Sequence, residues 1–330
     1  MKKFINNVDE ILTESLTGFG DAHNDILEVK LKPDFVTRKQ KSENPKVALI
    51  SGGGSGHEPL HGGFVGYGML DAACPGQVFS APTPDQMEAA ANYVHSGKGI
   101  LFIVKNYSGD IMNFEMGADM LDLEHQTIIV NDDVAVEDST YTTGRRGVAG
   151  TMIVEKTVGS LAETGASLDE CKIFGDHVNK MTASMGVAFT SCTVPAAGKP
   201  TFDIGSDEME FGVGIHGEPG RKREKIKTAN EITSELMGAI LEDLKPSNNQ
   251  EVLLHANGFG GTPLMELYLL FNSAKKILDQ NNIKVTRSLI GNFTTSLDMA
   301  GGSLTVAKLD DKIVQHWDSP VHTPAMRWKM

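Results

Sequence analysis

The stretch KVALISGGGSGHEPLHGG, Lys46 to Gly63, decides how the rest of the chain is read. An apolar run, VALIS, ends abruptly in three glycines, and the chain then carries two histidines four residues apart. The same grammar returns in GILFIVKNYSGD, 99–110, and in TIIVNDD, 127–133. Each reads as a buried strand that delivers a polar or glycine-rich loop at its C-terminal end. Between them TPDQMEAAANYVHSG, 83–97, has helical periodicity, with Thr83 at the cap and Gln86 at the capping-box position. Strands alternating with helices predict an α/β layer structure, whose ligands gather at the carboxyl ends of the strands.

Further along, GTMIVEKTVGSLAETGAS, 150–167, and SLDECKIFGDHVNKMTASMG, 167–186, read as two helices. After them the texture changes to short strands rich in glycine and proline. A helix capped by Thr228 with Glu231 follows, then the strand EVLLHANGFGG, the amphipathic PLMELYLLFNSAKKILDQNN, and the strands KVTRSLIGNF and SLTVAKL. The expectation is two closely packed α/β domains. The first, 1–185, has a mostly parallel sheet and carries the glycine loop and Asp110; the second, 186–330, is α+β and carries His216.

Composition narrows the class. The 330 residues, 40% hydrophobic, suffice for two cores. Cys74, Cys171 and Cys192 offer no C-x-x-C pair and no disulfide framework, which points to a reducing, cytoplasmic setting. The N-terminus lacks the apolar core of a signal peptide, and no run is long enough to span a membrane. A net charge of -13 argues against nucleic acid as the main partner.

HEPLH matches the zinc-protease pattern H-E-x-x-H, but Pro59 between the histidines and the glycines upstream prevent the helix that would aim both at one metal. We read the match as chance and expect no metal on this chain. A Walker A loop needs a lysine after its last glycine, a dinucleotide loop needs another glycine, and so does a serine elbow. His57 occupies the deciding position in all three cases. The loop therefore exists to present His57, with glycines that let a small substrate approach backbone N–H groups.

Three stretches remain chemical in character: the loop with His57, KNYSGD with Lys105 and Asp110, and GIHGEPG with His216. Each has a plain structural alternative. The glycines could form only a tight turn, Asp110 could be a helix N-cap, and Lys105 could be the solvated end of a strand. His216, flanked by glycines, is less natural as a buried structural histidine than His177 or His255. Arg145 and Arg146, in TTGRRGVAGT, suit an anion site or a surface turn equally.

Taken together, VALISGGGSGHEP, GFVGYGMLDAA, PTPDQ, IVKNYSGDIMNFEMGAD, DDVAVEDSTYTTGRRGVAGT, GVGIHGEPG, GTPLMELY and TSLDMAGGSLTV resemble the dihydroxyacetone kinase family, in its substrate-binding K subunit or domain. The resemblance runs in order from about residue 10 to the C-terminus. It implies that His216 holds dihydroxyacetone covalently as a hemiaminal, that His57 and Asp110 act as acid–base groups, and that Gly54, Ser55, Gly56 and Lys105 orient the hydroxyls. It implies further that the chain is a homodimer and binds no cofactor of its own. The phosphate would come from a separate L subunit bearing ADP or ATP and Mg²⁺, recharged by the multiphosphoryl protein M of the phosphotransferase system. The chain departs from the family pattern at Leu60, Gly62 and Ala81. A second member of the family binds dihydroxyacetone as a transcriptional co-activator with a TetR-type regulator, and that reading stands as the alternative. A binding protein for another short ketose or aldose is a third.

Overall fold

The computed structural model describes residues 2–42, 44–136, 143–218 and 220–330. Residues 137–142 of the DDVAVEDSTYTTGRR stretch and Pro219 of GIHGEPG lie outside the described residues.

The first sheet has six strands: β1 (Leu27–Lys30), β2 (Phe35–Arg38), β3 (Ala48–Ser55), β4 (Ala72–Val78), β5 (Ile100–Lys105) and β6 (His125–Val130). Their order is β1-β2-β4-β3-β5-β6. The four central and right-hand strands run parallel, and the β1–β2 hairpin adds an antiparallel edge. Helices α1 (Ile11–Ala22), α2 (Pro84–Val94), α3 (Ser108–Asp119), α4 (Gly150–Glu163) and α5 (Leu168–Lys180) flank it. The expected capping box closes the start of α2 between Thr83 and Gln86. Helix α4 is buried on almost every side, as a mostly apolar helix between a sheet and other helices must be.

The second sheet comprises β7 (Thr182–Ala188), β8 (Glu208–Phe211), β9 (Lys222–Lys225), β10 (Glu251–Gly258), β11 (Lys284–Gly291) and β12 (Gly301–Lys308). Its order is β11-β10-β12-β7-β8-β9, and all its pairs are antiparallel except β10 with β11. Helices α6 (Ala229–Leu244) and α7 (Leu264–Gln280) cover it, α6 with the expected Thr228–Glu231 capping box. Helix α8 (Asp311–Trp317) and the small ribbon of β13 (Val321–His322) and β14 (Arg327–Trp328) complete the chain.

One reading of the sequence is corrected. Residues 167–186 are not one helix: α5 stops at Lys180, and Thr182–Ala188, a run of small and β-branched residues, enters the second sheet as a wholly buried strand. The boundary drawn near Met185 falls inside that strand. Past Phe211, the last residue of β8, residues 212–218 form turns and irregular loop.

The units interpenetrate. Leu309, Ile313, Trp317, Val321 and Met326 return to the core of the first unit, against residues such as Leu12, Phe64 and Val158. Between the sheets, Ser184 N–H donates to Asp132 O at 2.7 Å and Val134 N–H to Ser184 O at 2.9 Å, stitching the segment after β6 to β7. Among the described residues no helix is long and apolar enough to cross a membrane.

Gly159 lies where α4 crosses the backbone of 68–69, and a Cβ there would sit 2.5 Å from Met69 Cα and 2.6 Å from its carbonyl oxygen. In an open helix Ala outranks Gly by about 1 kcal/mol, but overpacking against backbone costs roughly 1–3 kcal/mol. Steric cost should win: we expect Gly159→Ala to lower the urea-unfolding free energy, with a stabilised variant contradicting this packing.

Candidate active site

The site forms where the loops after β3 and β5 meet residues 212–218 and 292–299 of the second unit. The glycines of β3 are required by packing. A Cβ at Gly52 would lie 2.4 Å from Cys74 O, one at Gly54 2.6 Å from Ser80 N, and one at Gly56, whose φ is +106°, 2.8 Å from the Phe79 ring. Only at Gly53 would it meet a functional group, Lys105 Nζ, at 2.2 Å. The hydroxyl of Ser55 donates to Gly76 O at 2.7 Å, while both carboxylate oxygens of Glu58 accept from Gly56 N–H at 3.0 Å. The loop is thus a rigid, close-fitting bend.

The second unit holds that bend in place. Leu297 N–H donates to Gly56 O at 2.8 Å and Thr295 N–H to His57 O at 3.3 Å. The Thr295 hydroxyl reaches Glu58 O at 2.9 Å. His57 answers with Nδ1–H, which donates to Thr295 O at 2.7 Å. That bond fixes the tautomer and leaves Nε2 with a lone pair, buried and without a protein partner. Burial, reinforced by the neighbouring His216 and Lys105, holds the imidazole well below the ordinary histidine range, so it stays neutral.

His216 stands edge-on to His57 at 4.6 Å between ring centroids, to Tyr107 at 4.5 Å and to Phe79 at 5.3 Å. Phe79 stacks on His57 at 5.0 Å. The side chain of His216 is 15% exposed, whereas His57 and Tyr107 are buried. Behind it lies Glu218, whose Oε2 accepts from His216 N–H at 2.9 Å and whose Oε1 is 3.5 Å from His216 Nδ1. Burial pushes the Glu218 carboxyl up, but His216 and the charge of Arg146 outweigh it and hold it below the usual carboxylate range.

Lys105 and Asp110 depart from both of their plain alternatives. Helix α3 starts at Ser108 with Tyr107 at the cap position, so Asp110 is inside the first turn and buried, not an N-cap. Lys105 is fully buried, not a solvated strand end. Its Nζ lies 3.3 Å from Asp110 Oδ2, donates to Gly52 O at 3.2 Å, and donates to His61 Nε2 at 3.0 Å. His61, the second histidine of HEPLH, in turn contacts Glu155 Oε1 at 2.5 Å and Ser51 Oγ at 2.9 Å through Nδ1. His57 and His61 share no helix, and their bonds lead to different partners. Among the described residues no group of three or more His, Cys, Asp and Glu could hold a metal ion.

Sequence reasoning brought together His57, Lys105, Asp110 and His216, and missed Phe79, Tyr107, His61, Glu155 and Glu218. Of these only Glu218 had a local signal, as a carboxylate two residues from His216. Arg146 serves neither of its two readings: it is fully buried, pairs with Asp133 at 2.7 Å and donates to Gly212 O at 2.7 Å. Arg145 pairs with Asp243. His255 is the buried structural histidine expected, bonded to Leu289 O at 2.9 Å, whereas His177 is half-exposed beside Asp310. A cavity of about 490 Å³ lies on the α1 side of the glycine loop. Its lining takes in His61 and the backbone of 53–56 but none of His57, Lys105, Asp110 and His216, so volume alone does not mark the site.

Comparison with known proteins locates this geometry. Residues 17–325 match the Dak1 domain. The chain is 44% identical to the PEP-dependent dihydroxyacetone kinase, dihydroxyacetone-binding subunit DhaK, of Escherichia coli, over 99% of each chain. Among solved structures it is similar to the dihydroxyacetone kinase operon co-activator Dha-DhaQ, at 32% identity and a TM-score of 0.90, covering 97% of this chain and 98% of that one. It is also similar to the dihydroxyacetone kinase of C. freundii in complex with AMP-PNP and Mg²⁺, at 31% identity and a TM-score of 0.87. That match covers 98% of this chain and 60% of the longer one.

The depressed histidines carry a pH consequence. His57, His61 and His255 bind protons more weakly when folded than when unfolded. Their contribution to stability is therefore full above the unfolded value of about 6.5 and shrinks as pH falls below it. Nitrogen-15 NMR of the ring nitrogens should find His57 still neutral, with Nδ1 protonated, at pH 6; an imidazolium there would contradict the assigned environment.

Proposed function

The chain belongs to the dihydroxyacetone kinase family, and from that premise we propose that it is the dihydroxyacetone-binding subunit of a phosphotransferase-system-dependent kinase, holding its substrate as a hemiaminal on His216. The observation that carries this reading is His216 Nδ1 standing 3.5 Å from the ionised Glu218, with the His216 ring edge-on to that of His57, whose Nε2 is unpartnered.

Glu218 beside Nδ1 favours the tautomer that leaves Nε2 of His216 as the nucleophile. The N–C bond forms as the C=O π bond opens. The oxygen takes a proton from solvent and becomes a hydroxyl, while Nδ1 releases its proton toward Glu218, so the adduct is neutral. His57 Nε2 is then an acceptor for a substrate hydroxyl, and the stacked Phe79 with Tyr107 walls the ring in. Asp110, held in the first turn of α3 beside Lys105, is the base for the terminal hydroxyl that attacks phosphorus. The backbone of Gly54, Ser55 and Gly56 lines the approach, with Lys105 3.3 Å from Asp110. A ketone carbon is what a nucleophilic nitrogen can distinguish from the carbinol of glycerol, a distinction that hydrogen bonds to hydroxyls make poorly.

The donor is placed on a separate L subunit, carrying ADP or ATP with Mg²⁺ and recharged through M. Support comes from the E. coli relative, a PEP-dependent kinase subunit matched over its whole length. The C. freundii kinase, solved with AMP-PNP and Mg²⁺, has additional chain beyond the part matched here. The proposed assembly is a homodimer working in the cytoplasm. A second reading, as co-activator with a TetR-type regulator, rests on the likeness to Dha-DhaQ. We favour the kinase because His57, Lys105, Asp110 and His216 stand together.

Carbon-13 NMR with dihydroxyacetone labelled at the ketone carbon should show that signal replaced by a tetrahedral carbon on wild-type protein, and unchanged with His216→Ala. Asp110→Asn should keep the adduct and lose phosphorylation by loaded L subunit by about 10²–10⁴-fold. No adduct on the wild type overturns the covalent reading, and an adduct without phosphorylation by active partners transfers the chain to the co-activator class.

A further inference from the structure

Four ionisable groups form a single buried string that runs inward from the site. Asp110 Oδ2 lies 3.3 Å from Lys105 Nζ, Lys105 Nζ 3.0 Å from His61 Nε2, and His61 Nδ1 2.5 Å from Glu155 Oε1. The exposures of Lys105 and Glu155 are zero, and those of Asp110 and His61 are 4% and 6%. Each group comes from a different element: α3, β5, the loop after β3, and α4. Nothing in a substrate-binding loop requires a carboxylate this deep in the most buried helix of the fold. A structural carboxylate would have both oxygens satisfied, yet Glu155 Oε2 has no partner.

We propose that Asp110, Lys105, His61 and Glu155 are a proton relay, with Glu155 as the terminal acceptor of the proton released by the substrate hydroxyl. The inference rests on the phosphoryl-transfer reading given above. In the working form of the string, with Glu155 ionised, the Lys105 ammonium donates to His61 Nε2, and His61 Nδ1–H donates to the Glu155 carboxylate. When the hydroxyl oxygen forms its bond to phosphorus, its proton passes to Asp110. One shift along the string follows: Asp110 gives its proton to Lys105, Lys105 gives one to His61 Nε2, and Nδ1 gives one to Glu155. Lys105 and Asp110 end as they began, His61 ends as its Nε2–H tautomer, and the proton rests on Glu155. No other reactant is needed. The unpaired oxygen supplies the driving force, since a buried carboxylate with an unsatisfied oxygen gains by becoming a neutral acid.

Burial raises the Glu155 carboxyl to about 8, although the Ser51 bond and the charge of Lys105 oppose it. The groups facing it are Ser51 from β3, His61 and Lys105. On the same helix, Lys156 turns away to His316 O and Ser160 to His316 Nδ1, both toward α8. The relay works only while Glu155 is ionised, so transfer should quicken as pH rises through about 8. Glu155 acts through Lys105 and is a positioning residue.

The test is single-turnover phosphorylation of dihydroxyacetone by loaded L subunit across pH, with wild type, Glu155→Gln and Glu155→Asp, alongside the carbon-13 adduct signal. Glu155→Gln should keep the adduct and its KM within about twofold, lose about tenfold or more in rate, and lose the rise with pH; Glu155→Asp should recover part of both. A Glu155→Gln rate and pH profile equal to wild type overturn the relay and leave the substrate reading standing. No adduct and no transfer in the wild type overturn both. Should Glu155→Gln fail to fold, infrared spectroscopy of wild-type protein with carbon-13 glutamate decides: a buried glutamic acid band that disappears as pH rises through about 8 supports the relay, and its absence overturns it.

Discussion

The reciprocal bond between His57 and Thr295 is the constraint on which the site depends. One residue's ring donates to the other's carbonyl at 2.7 Å, and the second residue's amide donates back to the first's at 3.3 Å. The pair joins the first unit to the second across a seam, and it does so at the loop whose glycines let the chain pass close against Phe79 and Ser80. Because the ring itself is part of the seam, docking of the two units and the orientation of His57 are one event. The same docking brings His216 edge-on to it. Neither histidine has a site without the other unit.

That dependence explains what was legible in the sequence. Strands β3, β5 and β6 were readable because a buried parallel strand needs an unbroken apolar run, and the loops at their ends stood out as its abrupt termination. Helices α2 and α6 announced themselves through capping boxes. The break at Met181 was hidden, since Thr182–Ala188 is short, small in its side chains and buried on both faces, and so has no alternation to read. His57 and His216 were legible as odd residues among glycines. Phe79 and Tyr107 were not, because a wall of the site is made of residues that look like any core aromatic until the chain is folded.

The string behind Lys105 shows a harder limit. Glu155 sits in a helix whose periodicity places it among apolar residues, and local sequence gives no reason for a carboxylate there. Its partner His61 belongs to HEPLH, a motif dismissed because its histidines could not share a metal. The two histidines bond to different partners. It did not follow that the second histidine was idle: a residue's role came from a contact 94 positions away in the chain.

Burial and charge at this site also pull against each other in a way that has a functional sense. A lysine with zero exposure is costly, and here its compensation is shared between Asp110, a backbone carbonyl and a neutral histidine. Pairing with one carboxylate alone would have satisfied the charge and made a static ion pair. Sharing leaves two titratable acceptors, Asp110 and His61, within hydrogen-bond or ion-pair distance of one nitrogen. On the proposed reading the substrate is a triose, too small to supply binding energy from remote groups at even about 1.5 kcal/mol per non-hydrogen atom. On that reading the protein provides both the anchoring and the proton management from its own interior, through the proposed nucleophilic histidine and the titratable string behind Lys105.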